Sequence, residues 1–236
     1  MTVRIGTAGW QLGAEQRKHA PQQGTHLERY ATIFNCVEIT SSFYRAHQRK
    51  TYERWAGSVP AGFHFAVKVP RTITHEAKLT GAMALLDAFL EETGGLGDKR
   101  GPLIVQLAPR HIFDAAIVDA FFADFRKRYA GPITCEPRHV SWFDGEADGL
   151  LAEHRVGRVA ADPALHHGAE LPGGWPALAY FRWHGSPVVY RSGYDAAAIA
   201  TLAERVAGHA KAWVIFDNTM LGRAFFDAVA LQARLA

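Results

Sequence analysis

Eight times along this chain of 236 residues, a short apolar run bounded by Gly, Pro or Asn gives way to a longer segment. The runs are Val3–Trp10, Cys36–Thr40, His64–Pro70, Pro102–Pro109, Ile133–His139, Arg158–Pro163, Ala179–Gly185 and Ala212–Asn218. They are rich in Val, Ile and Phe and only a few residues long, as strands covered on both faces of a parallel sheet are. Several of the intervening segments carry helical spacing. Leu27, Tyr30, Ala31, Ile33 and Phe34 share one face. Leu85, Leu86, Phe89 and Leu90 share another, ended by Gly94-Gly95. Ile117, Val118, Phe121, Phe122 and Phe125 repeat at i, i+3 and i+4 until Gly131-Pro132 stops them. Ile199, Leu202 and Val206 follow Asp195, a natural N-cap. Phe225, Phe226, Val229 and Leu231 close the chain.

Strand and helix alternating in this way predict an α/β chain folded as a single (β/α)8 TIM-type barrel, with 1–236 as one domain. The length agrees, since such a barrel takes about 250 residues. One link departs from the pattern. Between Asp162 and Tyr180 the sequence PALHHGAELPGGWPALA has no period and several Pro and Gly, so the sixth helix is expected to be missing or reduced to a turn. A doubly wound open sheet is the alternative fold. It would call for a Gly-rich phosphate fingerprint after the first strand, and GTAGW is not one.

Hydrophobic residues at 48% and charged residues at 21% exclude a disordered chain. A net charge of +3 is too small to argue by itself for a nucleic-acid partner. Cys36 and Cys135 lie far apart in apolar runs, outside any CxxC pattern, and read as reduced buried thiols of a cytoplasmic protein. The opening MTVRIGTAGW lacks the apolar core of a signal peptide, and no window approaches the roughly 20 apolar residues of a membrane span.

Side-chain alternation says where the chemistry lies. In a strand, neighbouring residues face opposite sides, and in a barrel one side is the lumen. Val37 and Ile39 oppose Glu38; Phe65, Val67 and Val69 oppose Ala66 and Lys68; Leu103, Val105 and Leu107 oppose Ile104 and Gln106. Ile133 and Cys135 oppose Thr134, Glu136 and Arg138, while Val159 and Ala161 oppose Ala160 and Asp162. Phe181 and Trp183 oppose Tyr180, Arg182 and His184, and Val214 and Phe216 oppose Ile215 and Asp217. One set is apolar and suits the helices. The other turns polar at its C-terminal end. Glu38, Lys68, Gln106, Glu136, Arg138, Asp162, Arg182, His184 and Asp217 are therefore expected at one mouth, the end where barrels of this kind carry their sites. Burying so many ions costs several kcal/mol each before pairing. Pairing explains how they are tolerated, not why they share one end.

The same strands carry recognisable words: IGTAGW at 5–10, NCVEITSSFYR at 35–45, FHFAVKVPRTITH at 63–75, GPLIVQLAP at 101–109, CEPRHVSWF at 135–143, YFRWHG at 180–185 and FDN at 216–218. In this order they closely resemble the YecE-like family, domain of unknown function 72, from residue 5 to about 220. The resemblance implies a barrel similar to the TIM type, and no reaction. Its polar signature falls on Glu38, Tyr44, Lys68, His75, Gln106, Glu136, Arg138, Trp142, Arg182, His184 and Asn218. Two positions depart from it: Ala8 stands where Ser is common, and Asp217, where Asn is common, adds a negative charge to the mouth.

Three chemistries fit such a mouth. A divalent metal could use Glu38, Glu136, Asp162, Asp217, His75 and His184, although no HxH, HExxH or CxxC spacing supports it. Metal-free acid–base or hydrolytic chemistry could use Glu38 and Glu136 as a pair in which one carboxyl raises the other. Lys68 would be their counter-ion, or a Schiff-base amine if burial lowers its pKa. Anion binding could use Arg138 and the rim residues Arg45, Arg71, Arg110, His139 and Arg223. Gly222-Arg223 opens the last helix, and Trp10, Tyr44 and Trp142 are placed to stack on a ring. Glu38, Lys68, Glu136, His184 and Asp217 are thus the candidate catalytic residues. Trp10, Tyr44, His75, Gln106, Arg138, Trp142, Asp162, Arg182, Asn218 and Arg223 are the candidate substrate-binding residues. The expectation is an enzyme for a small phosphorylated or sugar-like anion. The alternative is a nucleic-acid-binding or endonuclease-like barrel.

Overall fold

All eight runs form strands in the computed structural model, which describes residues 2–236. They are β1 (Thr2–Thr7), β2 (Cys36–Ile39), β3 (His64–Lys68), β4 (Arg100–Gln106) and β5 (Ile133–Glu136). The sixth run is split into β6 (Val156–Arg158) and β7 (Ala160–Asp162). A two-residue strand that the sequence did not announce, β8 (Gly173–Gly174), precedes β9 (Ala179–Trp183) and β10 (Lys211–Phe216). The order is β1-β10-β9-β7 in one sheet and β2-β3-β4-β5-β6-β8 in the other. Every ladder is parallel except β6 with β8.

The chain is thus an α/β fold with two parallel-strand sheets rather than one continuous eight-strand ladder. The seam between β1 and β2 shows why. There the backbone groups of β1 bond to side chains. The Ile5 amide donates to Asn35 Oδ1 (2.9 Å), and Asn35 Nδ2 donates to the Val3 carbonyl (3.0 Å). The Thr7 amide donates to the Tyr30 hydroxyl (2.8 Å), which donates to the Cys36 carbonyl (3.0 Å). Gly6 permits this approach, because a Cβ there would meet the Cys36 carbonyl oxygen. Only at the far end does a lone parallel bridge join Ala8 to Glu38. At the other seam, β6 pairs with β5 while β7, the next residues of the same run, pairs with β9.

Helices α1 (His26–Tyr30), α2 (Arg49–Gly57), α3 (Met83–Thr93), α4 (Ala115–Arg128), α5 (Gly145–Glu153), α6 (Ala196–Ala207) and α7 (Arg223–Leu235) lie between and after the strands. Their starts follow local chemistry. Thr25 and Glu28 form a capping box at α1, and Asp114, Asp144 and Asp195 each accept a backbone amide at the starts of α4, α5 and α6. Helix α1 stops at Tyr30, shorter than the apolar face that runs on to Phe34, although Phe34 is buried. No α-helix stands between β7 and β9, as the aperiodic sequence implied. Arg158 ties that loop down instead, through Asp148 of α5 (2.7 Å) and the Gly168 carbonyl (3.1 Å).

Two apolar clusters match the two faces of the strands. The larger joins Val37, Val67, Val105, Phe181 and Phe216 to helix residues such as Phe122 and Leu202. The smaller lies between the sheets: Cys36, Ala66, Ile104, Val159, Leu178, Tyr180, Trp213 and Ile215. The sixth run is the exception to the expected alternation. Val159 joins the inner cluster and Ala160 the outer, the reverse of the expectation. The ladder changes partner at Val159, and Val beside two Ala gives little contrast between faces. No helix among the described residues is long and apolar enough to cross a membrane.

Candidate functional site

Six strands repeat one step on their inner face. Moving two residues toward the C-terminal end turns Cys36 into Glu38, Ala66 into Lys68, Ile104 into Gln106, Thr134 into Glu136, Tyr180 into Arg182 and Ile215 into Asp217. The apolar layer therefore carries a polar layer on top of it.

Arg182 is the hub. Its Nε donates to Glu38 Oε2 at 3.0 Å and its Nη2 to Glu38 Oε1 at 2.8 Å, a fork on one carboxylate. Its Nη1 donates to Glu136 Oε2 at 2.5 Å, and Nη2 also reaches Asp217 Oδ2 at 2.9 Å. Gln106 Nε2 donates to Glu136 Oε2 at 3.0 Å, and Arg138 holds Glu136 Oε1 at 3.2 Å. The Tyr180 hydroxyl donates to Glu38 Oε2 at 2.9 Å. His184 Nδ1 meets Asp217 Oδ2 at 3.0 Å. Glu38, Arg182 and Glu136 are almost completely buried.

This pairing fixes protonation. Burial alone would raise the Glu136 carboxyl, but Arg182, His184 and Arg138 hold it well below the usual range. Asp217 follows the same pattern: burial opposes ionisation, and Arg182 and His184 overcome it. The carboxyl pair imagined from sequence, one member raised to serve as an acid, is therefore absent at Glu136, because a guanidinium sits between it and Glu38. The group whose proton affinity is raised here is His184. Burial would lower it, and the carboxylates of Asp217 and Glu136 raise it instead. Its Nε2 lies 3.3 Å from Glu136 Oε1. That contact is not aligned as a hydrogen bond, and the atom is sealed without a partner.

Lys68 corrects a second expectation. It is not the counter-ion of Glu38 or Glu136. Among the described residues its Nζ makes no ion pair; it sits 3.9 Å from the centroid of the Phe43 ring. Burial, and then the neighbouring Arg182, depress its pKa to about 8. Beside it, His75 is lowered by burial and by the cations Lys68, Arg71 and Arg138. His75 also packs edge-on against Phe43.

A cavity of about 210 Å³ opens on the β5–β9 side of the hub, lined by Glu136, Arg138, Phe143, Ala161, His184 and Tyr190 among others. Tyr190 covers it from the loop after β9; its amide donates to the His184 carbonyl at 2.5 Å, and the two rings pack edge-on.

Several candidates lie outside this network. Asp162 is turned away by the reversed alternation of its strand, and the Tyr194 hydroxyl donates to its Oδ1 at 2.8 Å. Asn218 faces away from the inner layer; its Nδ2 donates to Asp227 Oδ2 (2.6 Å) and the Ser192 carbonyl (2.7 Å). Trp142 is fully buried and donates to the His111 carbonyl at 2.8 Å. Trp10 packs edge-on against Trp55, Tyr44 is exposed beside Phe43, and Arg223 is exposed at the start of α7. Tyr180, Phe43 and Tyr190 were not singled out from sequence. Tyr180 was within reach of that reading, since it shares the inner face of β9 with Arg182. Phe43 and Tyr190 stand on loops, where alternation says nothing.

The donor set does not suit a metal ion. Among the described residues no three His, Cys, Asp or Glu side chains converge as ligands. The space between the carboxylates is taken by the Arg182 guanidinium, whose charge opposes a second cation.

Comparison with known proteins identifies relatives of the chain. The family described as "Protein of unknown function DUF72" matches residues 4–236. The "UPF0759 protein YecE" of Escherichia coli (strain K12) is 35% identical over 83 residues, 35% of this chain and 30% of that protein. The "UPF0759 protein YunF" of Bacillus subtilis (strain 168) is 28% identical over 182 residues, 71% of this chain and 63% of that one. The aligned stretches thus span less than two thirds of these curated relatives. Two solved DUF72 family proteins share the fold. That of Enterococcus faecalis V583 has a TM-score of 0.83 at 22% identity, covering 99% of this chain and 95% of its own. That of Thermotoga maritima MSB8 has a TM-score of 0.79 at 22% identity, covering 100% and 99%.

Proposed function

The chain belongs to the DUF72 family, and from its own geometry we propose that it is an enzyme acting on a small anionic molecule, phosphorylated or sugar-like, at the C-terminal ends of its strands. In this reading the two sheets work as one barrel and 1–236 as one domain. The polar inner layer is its site.

The observation that carries the proposal is His184. It lines the cavity, and its Nε2, buried 3.3 Å from Glu136 Oε1 without an aligned hydrogen bond, is a donor that a ligand entering the cavity engages once that contact opens. The ring is held by Asp217, so its orientation is set before anything binds. Arg138 lines the same cavity and supplies a guanidinium for a phosphate or carboxylate. With the bound molecule drawing Nε2 out of its contact with Glu136, His184 delivers a proton to it, and Glu136, held ionised, steadies the charged ring. Arg182 touches neither cavity nor ligand in this scheme. It is the positioning residue that keeps three carboxylates in place. Its full engagement, and the lack of a converging donor set, favour metal-free acid–base chemistry over the metal-dependent nuclease alternative.

Calorimetry with inorganic phosphate and with ribose 5-phosphate tests it. Binding that vanishes in Arg138→Ala and His184→Ala, with both variants folded, is the expected result. No heat from any small anion at millimolar concentration, together with retention of single-stranded DNA or RNA at low salt, would replace this reading with the nucleic-acid one.

A further inference from the structure

Two cations share the inner layer, and they are treated in opposite ways. Arg182 takes the oxygens of Glu38, Glu136 and Asp217. Lys68, whose charge those three carboxylates also feel, bonds to none of them. An ammonium is strongly hydrated and flexible, and normally finds a carboxylate when one is near. Here every nearby carboxylate is already committed. Its Nζ has no hydrogen-bond partner among the described residues, yet it is not among the sealed polar atoms, so it still meets solvent. The side chain as a whole is 8% exposed, and an aromatic face lies beneath the nitrogen. An amine that is desolvated, uncommitted and reachable is the form of lysine that attacks carbon.

We propose that Lys68 is a nucleophile that condenses with the carbonyl of a small anionic aldehyde or ketone to form a Schiff base. This rests on the reading of the same mouth as an anion site and narrows its substrate class to carbonyl compounds. The neutral amine attacks the carbonyl carbon; a C–N bond forms and the C=O π pair moves to oxygen. The nitrogen gives up a proton and the oxygen gains one, both by way of water, leaving a carbinolamine. The carbinolamine oxygen then takes a proton from water and leaves as water as the C–O bond breaks, the nitrogen lone pair forms C=N, and the iminium returns its N–H proton to water. The net change is one carbonyl and one amine giving one imine and one water, with no oxidant or reductant. The amine is pre-set for the first step, since burial and Arg182 bring its pKa down to about 8. Arg182 thus has a second effect: by occupying the carboxylates it keeps them from locking Lys68 as a salt bridge.

Reductive trapping reads this directly. The protein is incubated with dihydroxyacetone phosphate and sodium cyanoborohydride at pH 7.5, and the adduct is located by peptide mass mapping. The expected result is a single adduct on Lys68, formed roughly tenfold or more faster than on exposed Lys50 or Lys127, as a desolvated amine in a prepared site requires. Lys68→Arg and Lys68→Met should keep the fold by circular dichroism and lose that adduct. Acetone, which has the carbonyl and no phosphate, should label Lys68 at least fivefold more slowly, and inorganic phosphate should slow labelling by the phosphate ester. Labelling spread over surface lysines, and unchanged in Lys68→Met, would overturn the proposal. If phosphate binds by calorimetry but no Lys68 adduct forms, the Schiff base fails and the anion site stands. If phosphate does not bind and Lys68 is still labelled, the anion site fails alone.

Discussion

The inner face of the strands holds two layers built by the same backbone, one residue pair apart. In the lower, Cys36, Ala66, Ile104, Tyr180, Trp213 and Ile215 meet as a buried apolar cluster. In the upper, Glu38, Lys68, Gln106, Glu136, Arg182 and Asp217 meet as ions and amides. The lower layer shows that this fold can fill the space between its sheets with apolar side chains. The upper layer is therefore not a requirement of packing. An apolar filling would be as stable or more so, since desolvating ions offsets much of what their pairing returns. What the upper layer gives is a set of charges in fixed positions next to a cavity.

The sharpest way to break this contrast is to remove the hub. Arg182→Ala leaves Glu38, Glu136 and Asp217 buried around a void, and should cost at least about 3–5 kcal/mol. Ile104→Val in the layer below removes one methyl group and should cost only about 0.5–1.5 kcal/mol. Urea melts of the two variants compare the layers directly. Equal losses would mean that the upper layer is not an interdependent network.

Acid should find the upper layer first. Glu136 and Asp217 have folded pKa values below their unfolded ones. The stability they contribute is complete above the ordinary carboxylate range and disappears as pH falls through their folded values. His184 has the opposite sign: raised on folding, it contributes fully below its unfolded value, and the contribution is lost as pH rises through the folded one. Melting curves from pH 2 to pH 9 should show both limbs. Asp217→Asn should flatten the acid limb and weaken the neutral one, an effect on the order of 1–3 kcal/mol. An acid limb unchanged in Asp217→Asn would show that the carboxylate gains nothing from Arg182.

Lys68 should move the other way, and that sharpens the comparison. Its folded pKa of about 8 lies below the unfolded value. Below pH 8 the folded protein carries a charge that its surroundings disfavour. Between about pH 8 and pH 10.4 the unfolded chain binds more protons than the folded one, so stability from this group rises with pH. Lys68→Met should raise stability at pH 7 by about 1–2 kcal/mol, with the gain fading toward pH 10. A destabilised Lys68→Met at pH 7 would mean that the ammonium is held by structure rather than kept despite it.

How far these layers can be read from the sequence depends on how local the controlling contact is. The strand runs were legible because burial on both faces writes itself into a continuous apolar stretch, and the inner layer because alternation has a strict period. Asp162 was misplaced because its strand changes partner at Val159, and a run of Val and Ala does not record which side it faces. The division into two sheets was hidden because Asn35 and the Tyr30 hydroxyl bond to β1 through their side chains, which strand alternation does not record. The presence of acids and bases in one layer was legible, while their pairing was not. Lys68 and Arg182 both carry the right charge, and only the reach of a guanidinium fork from β9 decides which of them takes the carboxylates. Trp142 and Asn218 carry the family's signature, yet they bond to loops and to Asp227 rather than to the inner layer.

The smallest test concerns the joint between the layers. Tyr180 packs its ring in the lower layer against Trp213, with centroids 6.1 Å apart, and donates its hydroxyl upward to Glu38 at 2.9 Å. Burial, and then Glu38, raise its pKa far above the usual phenol value, so it stays a donor at every working pH. Tyr180→Phe keeps the ring and removes the hydrogen bond, leaving Glu38 held by Arg182 alone. The expected loss is about 1–2 kcal/mol, at the upper end for a bond to a charged acceptor. In the double variant with Glu38→Gln the loss from Tyr180→Phe should shrink, because a neutral amide gains less from the hydroxyl. A loss from Tyr180→Phe that is the same in both backgrounds would mean that the hydroxyl serves the apolar layer's packing and does not couple it to the charged one.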